Sequence, residues 1–245
     1  MKSLIKKLTI RVAPKWLKKI ITHDFKQQEG IEFGYYHTSY SQQGEDLHLK
    51  RFFENKQNGF YVDIGAFHPH YFSNTQIFYH NGWSGINIEP NPEQFKLFTE
   101  FRKRDLNLNV AVGDNSDSLT YYRFNMPALN GFDKRNVAQW QQKEGFQLID
   151  TLNIPTYSLS AILEKHLPAG QQIDFMTVDT EGWDLKVLQS NNWEKFRPTV
   201  IVVETELKAD EPPSRNSIFQ LMTSVDYSLW CITGGSWLFK NNVKF

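Results

Sequence analysis

Gly59-Phe60-Tyr61-Val62-Asp63-Ile64-Gly65-Ala66 and Ser84-Gly85-Ile86-Asn87-Ile88-Glu89-Pro90 decide how this chain is read. Each is a short, largely apolar run with an acid at its end. Runs of this length and β-branched content read as buried strands of an α/β sheet. Asp63 and Glu89 then stand at the carboxyl ends of two neighbouring strands, the edge where open α/β sheets bind ligands. Glu89 is placed to accept hydrogen bonds from two ribose hydroxyls, and Gly65 to let a ligand approach the backbone. The pair points to a nucleoside-bearing cofactor before any catalytic residue is identified. The alternative is that both acids are strand-end turn formers.

The pattern continues outward. Leu106 to Val112 reads as a third strand, Leu119 to Phe124 as an added strand, Ile173 to Val178 as a fourth and Thr199 to Thr205 as a fifth. The fourth again closes on acids, Asp179 and Glu181. A polar start at Ser39 to Asp46 predicts a capped helix running to about Phe53. Further helices are expected over Ser73 to His80, from Pro92, from Tyr157 through Leu167, over Gly182 to Asn191 and over Ser217 to Val225. Tyr227 to Ile232 and Ser236 to Phe239, joined at Gly234-Gly235, form a hairpin signal. Asn125 to Asp150 has little periodicity and is expected as an insertion over the site. The alternation predicts an α/β fold. Its sheet is mainly parallel with helices on both faces, and the hairpin adds one antiparallel strand at the end.

Composition bounds the rest. The 245 residues suit one large α/β domain, residues 39–245, behind a basic amphipathic segment, residues 1–38. Charges balance at 27 against 27, which argues against a dedicated nucleic-acid binder. Cys231 is the single cysteine, so no internal disulfide or cysteine-rich zinc site is available. It reads as a buried strand residue, and a reducing cytoplasm fits. No run is long enough to span a membrane, and lysines and arginines interrupt any signal-peptide core. Residues 1–23 carry seven lysines and arginines and no acid, with Leu4, Ile5, Leu8, Val12, Trp16, Leu17, Ile20 and Ile21 at helical spacing and a break expected at Pro14. Such a stripe either packs on the domain or lies on an anionic membrane surface. The expected location is the cytoplasm, with peripheral contact at the inner face of the membrane as the second case.

An ordered set of motifs resembles the FkbM family of S-adenosylmethionine (SAM)-dependent methyltransferases, within the class I methyltransferase fold. The set is Ser41-Gln42 through Gly44-Glu45-Asp46, Tyr61-Val62-Asp63-Ile64-Gly65-Ala66, Phe72-Ser73-Asn74-Thr75, Gly85-Ile86-Asn87-Ile88-Glu89-Pro90, Val110-Ala111-Val112-Gly113-Asp114, and Ile173-Asp174-Phe175 through Val178-Asp179-Thr180-Glu181-Gly182. The resemblance implies a Rossmann-like, seven-stranded sheet closed by an antiparallel hairpin. It implies that Asp63, Gly65 and Ala66 form the first SAM-binding motif and that Glu89 is the ribose-binding acid. It implies that Asn109, Val110 and Ala111 fall where the adenine lies, that Glu45 closes over the cofactor, and that Asp179 and Glu181 stand beside the transferring methyl. The implied acceptor is a hydroxyl on a sugar, polysaccharide precursor or other small molecule. One position departs from the general class pattern: Phe67, followed by His68-Pro69-His70, stands where a second glycine is common.

Methyl transfer to a hydroxyl needs alignment and a general base. The candidate bases are His68, His70, Asp179 and Glu181. Histidines titrate nearest neutrality, whereas the carboxylates need raised pKa values, or else orient the acceptor or bind a divalent ion. No metal ligand set is assigned. The competing readings are that both histidines are turn residues, that Asp179 caps the next helix, and that Glu45-Asp46 is a solvated helix start. Tyr71, Phe72 and Tyr79 are expected in the core. Two other functions stay open: a nucleotide-sugar-dependent glycosyltransferase with a metal on Asp179 and Glu181, and a non-catalytic, membrane-associated scaffold. Oligomeric state is not read from the sequence.

Overall fold

The computed structural model describes residues 37–114, 118–205 and 211–243. The chain divides into Met1–Ser39 and Tyr40–Phe245. The basic amphipathic stretch of residues 1–23 lies outside the described residues.

The quoted runs become β1 (Phe60–Ile64) and β2 (Ser84–Ile88), paired in parallel with Val62 opposite Ile86. All five residues of β1 are buried because both faces of the sheet are covered. Alternation divides them. Phe60, Val62 and Ile64 join one core, closed by Leu159, Ile162 and Leu163 of α5 (Leu159–His166), Val187 and Leu188 of α6 (Asp184–Gln189), and Ile218 and Met222 of α7 (Ser217–Ser224). Tyr61 joins the other, closed by Leu49 of α1 (Glu45–Phe52) and Ile77 and Phe78 of α2 (Gln76–His80). Each such apolar side chain contributes about 1.5–3 kcal/mol, so a continuous apolar run is what this position selects.

The sheet has seven strands in the order β3-β2-β1-β7-β8-β10-β9. Here β3 is Leu106–Leu108, β7 Phe175–Val178, β8 Val200–Glu204, β9 Tyr227–Thr233 and β10 Ser236–Asn241. The first five are parallel, and β10 is antiparallel to both neighbours. The hairpin therefore places its antiparallel strand next to β8, and β9 forms the edge. α3 (Pro92–Phe101) opens on Asn91, whose side chain accepts from the Glu93 amide, with Pro92 in the first turn.

Three expectations change. The expected strand Leu106 to Val112 is two: β3 in the main sheet and β4 (Ala111–Val112) in a second. The chain leaves the first sheet at Asn109, whose amide donates to the carbonyls of Glu89 and Pro90 at 2.8 and 2.9 Å. Second, Leu148–Tyr157 is a strand, β6, so Tyr157 ends a strand and α5 starts two residues later. β6 is the centre of a sheet ordered β4-β6-β5, with β5 spanning Ser118–Phe124. Asp150 and Pro155 interrupt its apolar alternation. Asp150 sits opposite Arg123 in the ladder and pairs with it at 2.6 Å. Third, Cys231 is half-buried on β9 beside His48. The segment between β5 and β6 contains α4 (Lys134–Gln141), capped by Asp133.

Candidate active site

The carboxyl edge of β1, β2, β7 and β8 opens into a cavity. Asp63, Gly65, Ala66, Glu89, Asp179 and Glu181 all line it, as does Glu204. Pro127 to Phe132, from the insertion between β5 and β6, form part of its wall. The expected placement of that insertion over the strand ends is thus what the structure shows.

Each acid is held by a local device. Glu89 accepts the Asn91 amide at 2.7 Å and the Phe67 amide at 2.8 Å, one on each oxygen. A carboxylate has further lone pairs to offer. Burial, the largest cause, pushes its pKa up to about 8 against these two hydrogen bonds. Asp63 accepts from the Thr75 hydroxyl at 2.9 Å, and burial pushes it up to about 6. Gly65 has φ +75°, and a Cβ there would meet the Asp179 carbonyl oxygen at 1.8 Å. Its glycine requirement therefore comes from the neighbouring strand as well as from the cavity it lines.

Glu181 has φ +53°, a left-handed conformation that a non-glycine residue adopts only when its surroundings impose it. Asp184 imposes it. Its carboxylate accepts the Thr180 amide at 2.8 Å, the Thr180 hydroxyl at 3.0 Å and the Gly182 amide at 3.1 Å. Asn136 of α4 donates to the Glu181 carbonyl at 2.9 Å. Burial and then the charge of Asp179 push the Glu181 carboxyl up to about 8. Asp179 is raised well above the usual range, by burial first and then by Glu204, with which it shares a hydrogen bond. Asp179, Glu181 and Glu204 each offer an oxygen within 4.8 Å of the others.

Glu204 is one functional residue that the sequence motifs did not single out. Val200 to Glu204 repeats the apolar-run-then-acid pattern of β1 and β2. That signal was present in the sequence. Arg102 was also missed. It is fully buried and donates to the Pro69 carbonyl, Ser73, Thr75 and Tyr61. It thereby holds the His68-Pro69-His70 turn against β1.

Other expected site residues lie elsewhere. His68 is stacked on Tyr71 at 3.6 Å between centroids, and its Nδ1 accepts the His70 amide. His70 packs edge-on against Phe101. Neither lines the cavity. Burial drives His68 down to about 4 and lowers His70 as well. Asn109 ties down the end of β2, Val110 packs against the main core, and Ala111 is buried in the second sheet with Tyr121 and Ile154. Glu45 and Asp46 are buried, which removes the reading of the pair as a solvated helix start. Glu45 accepts from Ser236 and Gln43, and lines a small hollow with Gln42, Asp179 and Glu204. Tyr71 and Phe72, expected in the core, are more than half exposed, and Phe72 lines the cavity. The turn exposes them because Phe67 and Phe72 both take left-handed φ, near +54°.

The cavity's charge pattern can be compared with the implied cofactor. Five carboxyl groups line it, with no lysine, arginine or histidine among the described lining residues. This suits a sulfonium cation and gives a pyrophosphate no basic partner. Gln94 also lines it, and its Oε1 is buried without a donor, an acceptor that a ribose hydroxyl or adenine amino group would satisfy. The residues present therefore fit S-adenosylmethionine.

Without the cofactor, this cluster costs stability. The folded-state pKa values of Asp63, Glu89 and Glu181 exceed the unfolded ones, so their favourable contribution is complete below about pH 4 and is lost as pH rises through about 6 to 8. The thermal midpoint of the cofactor-free protein is expected to fall between pH 5.5 and 8.5, as read by calorimetry. A flat profile would contradict the cluster's shared protonation.

No curated protein matches the chain. Among solved structures, a METTL16 methyltransferase domain is similar over 81% of this chain and 66% of its own length, at 11% identity and TM-score 0.45. This chain therefore spans slightly less than two thirds of that domain. A TehB-like SAM-dependent methyltransferase from Corynebacterium glutamicum is similar over 91% of this chain and 100% of its own, at 7% identity and TM-score 0.42. A precorrin-6y C5,15-methyltransferase from Geobacter metallireducens covers 79% and 84%, at 9% identity and TM-score 0.37. Among the described residues, no helix is long and apolar enough to cross a membrane. The sequence model of the methyltransferase FkbM domain matches residues 63–229, more than half of the chain, from the acid of β1 into β9. With the strand order and the acid-lined cavity already described, that match makes the chain a SAM-dependent methyltransferase belonging to the FkbM family.

Proposed function

We propose that the protein transfers a methyl group to a hydroxyl oxygen on a sugar, polysaccharide precursor or other small molecule, with Glu181 as the general base. The observation that carries this is the place of Glu181. It lines both the cofactor cavity and a second groove, carries a pKa of about 8, and is held in a left-handed conformation by Asp184 and Asn136. Perturbed carboxyls in strained positions concentrate at reacting centres.

S-adenosylmethionine, when bound, supplies a methyl carbon already activated by the sulfonium charge. Asp63, Glu89 and Gln94 would hold it, Glu89 and Gln94 by accepting hydrogen bonds from hydroxyl or amino groups. Asp179 and Glu204, sharing a hydrogen bond, present a negative or proton-sharing wall beside Glu181. Glu181 would take the proton of the acceptor hydroxyl as that oxygen receives the methyl group that bound S-adenosylmethionine would supply. The protonated carboxyl then loses that proton to water.

Calorimetric titration with SAM tests the placement. Glu89→Ala is expected to weaken binding by about 10- to 100-fold, the worth of hydrogen bonds to a charged group. Affinity is expected to rise with pH from 6 to 8.5, because a cation favours the ionised carboxyls and binding releases their protons. S-adenosylhomocysteine lacks the sulfonium charge and should show little of this dependence. Wild-type affinity in Glu89→Ala would mean that the cofactor lies elsewhere.

A further inference from the structure

A second, wider groove shares Glu181 and Glu204 with the cofactor cavity. One wall is α4 and the residues just after it; Arg135, Asn136, Gln139, Trp140 and Lys143 all line the groove. Their spacing of one, three, one and three is that of one helical face. No acid occurs from Lys134 to Lys143. The opposite wall includes Thr205 after β8, Gly234 and Gly235 of the hairpin turn, Trp237 and Arg215.

The groove presents three kinds of chemistry. Trp140 offers an aromatic surface, with the Lys143 ammonium 4.0 Å over its ring. Lys143 and Arg215 make no ion pair among the described residues. Arg135 is taken by Asp133 at 2.7 Å, and Asp184 is taken by the amides of Thr180 and Gly182. Glu211 also lines the groove and has a partner of its own. Trp237 is 2% exposed, and its indole N–H finds no acceptor among the described residues. A buried donor without an acceptor costs about 1–3 kcal/mol unless a ligand or water supplies one. Among the described residues, Lys143 and Arg215 without an ion pair and the Trp237 donor without an acceptor suit oxygen-rich, negatively charged material, which would meet them and not the groove's carboxyls, Asp133, Glu181, Asp184, Glu204 and Glu211. An aromatic side chain beside amides suits a sugar ring.

We propose that this groove binds the methyl acceptor, and that the acceptor is a carbohydrate bearing a carboxylate or phosphate. Its ring lies against Trp140, its acidic group meets Lys143 and Arg215, and one hydroxyl reaches Glu181. This rests on the methyltransferase reading of Glu181, and the experiment separates the two.

The test uses the full chain labelled with nitrogen-15 and follows the tryptophan indole N–H signals during titration with glucuronate, glucose 1-phosphate and glucose. SAM is titrated into a parallel sample. Glucuronate, glucose 1-phosphate or both are expected to shift the Trp140 and Trp237 signals at concentrations at least tenfold below glucose. Lys143→Gln and Arg215→Gln should each abolish that preference. A response to one anion alone assigns the acidic group as carboxylate or phosphate. Equal response to glucose, or no response to any sugar, overturns the proposal. SAM binding in the parallel sample would leave the cofactor site standing. Sugar binding without SAM binding would instead overturn the cofactor placement.

Discussion

Glu181→Gln is expected to lower kcat by about 10²- to 10⁴-fold, the usual worth of a positioned general base. Glutamine matches the shape of the protonated carboxyl, so the turn held by Asp184 and Asn136 should persist. The KM for SAM should then change far less than kcat. The pH profile separates a base from a merely structural residue. A base must be ionised, and burial and Asp179 hold Glu181 near 8 in the free protein. Wild-type kcat/KM for the acceptor should therefore rise with pH and level off at or below about 8, since the sulfonium of bound SAM favours ionisation. Glu181→Gln should lose that rising limb. A variant that keeps a tenth of the rate and the same limb would move the base to Asp179, to be tested as Asp179→Asn. Glu181→Gln is also expected to raise the thermal midpoint at pH 8.5, by about 2–4 °C for each kcal/mol of relieved repulsion. Loss of rate with gain of stability is the pattern of a strained functional residue.

Arg102→Ala is expected to destabilise the protein by about 3–5 kcal/mol, the cost of breaking a buried charge network by removing one partner. At 2–4 °C per kcal/mol this is a drop of roughly 6–20 °C in thermal midpoint. The network explains the size. Arg102 donates to the Pro69 carbonyl at 2.8 and 3.1 Å, to Tyr61 at 3.0 Å, to Ser73 at 3.1 Å and to Thr75 at 3.2 Å. Asp105, 3.5 Å away, accepts from Tyr61, Asn87 and the Gly85 amide. Burial raises its pKa, while Tyr61, Asn87 and then Arg102 pull it down, so losing Arg102 leaves a buried acid less compensated. Thr75 passes the arrangement on, accepting from Arg102 and donating to Asp63. Arg102→Lys keeps the charge but lacks the planar fork that reaches several acceptors, and should fall between the two. Thermal unfolding of both variants checks this. A midpoint within 2 °C of wild type for Arg102→Ala would show that the network is not what holds the 67–75 segment.

The sequence by itself determined the main sheet and the acids at its carboxyl edge. Strands covered on both faces must be continuously apolar, and a carboxyl edge that binds ligands can carry acids, so Val62, Ile64, Ile86 and Ile88 next to Asp63 and Glu89 were readable without coordinates. The same logic would have read Glu204 from Val200 to Val203. β6 was less legible because Asp150 and Pro155 break its alternation, and only the pairing with Arg123 across the ladder shows why Asp150 is tolerated. The tertiary structure alone decided the rest. Local sequence does not show that Glu45 and Asp46 are buried, that Tyr71 and Phe72 are exposed, or that His68 turns toward Tyr71. The burial of Glu45 and the place of the Pro69 turn depend on partners tens of residues away, Ser236 and Arg102. The strain at Glu181 is of the same kind. It needs Asp184 on one side and Asn136, 45 residues earlier, on the other, and contacts at that separation leave no periodic trace in a sequence.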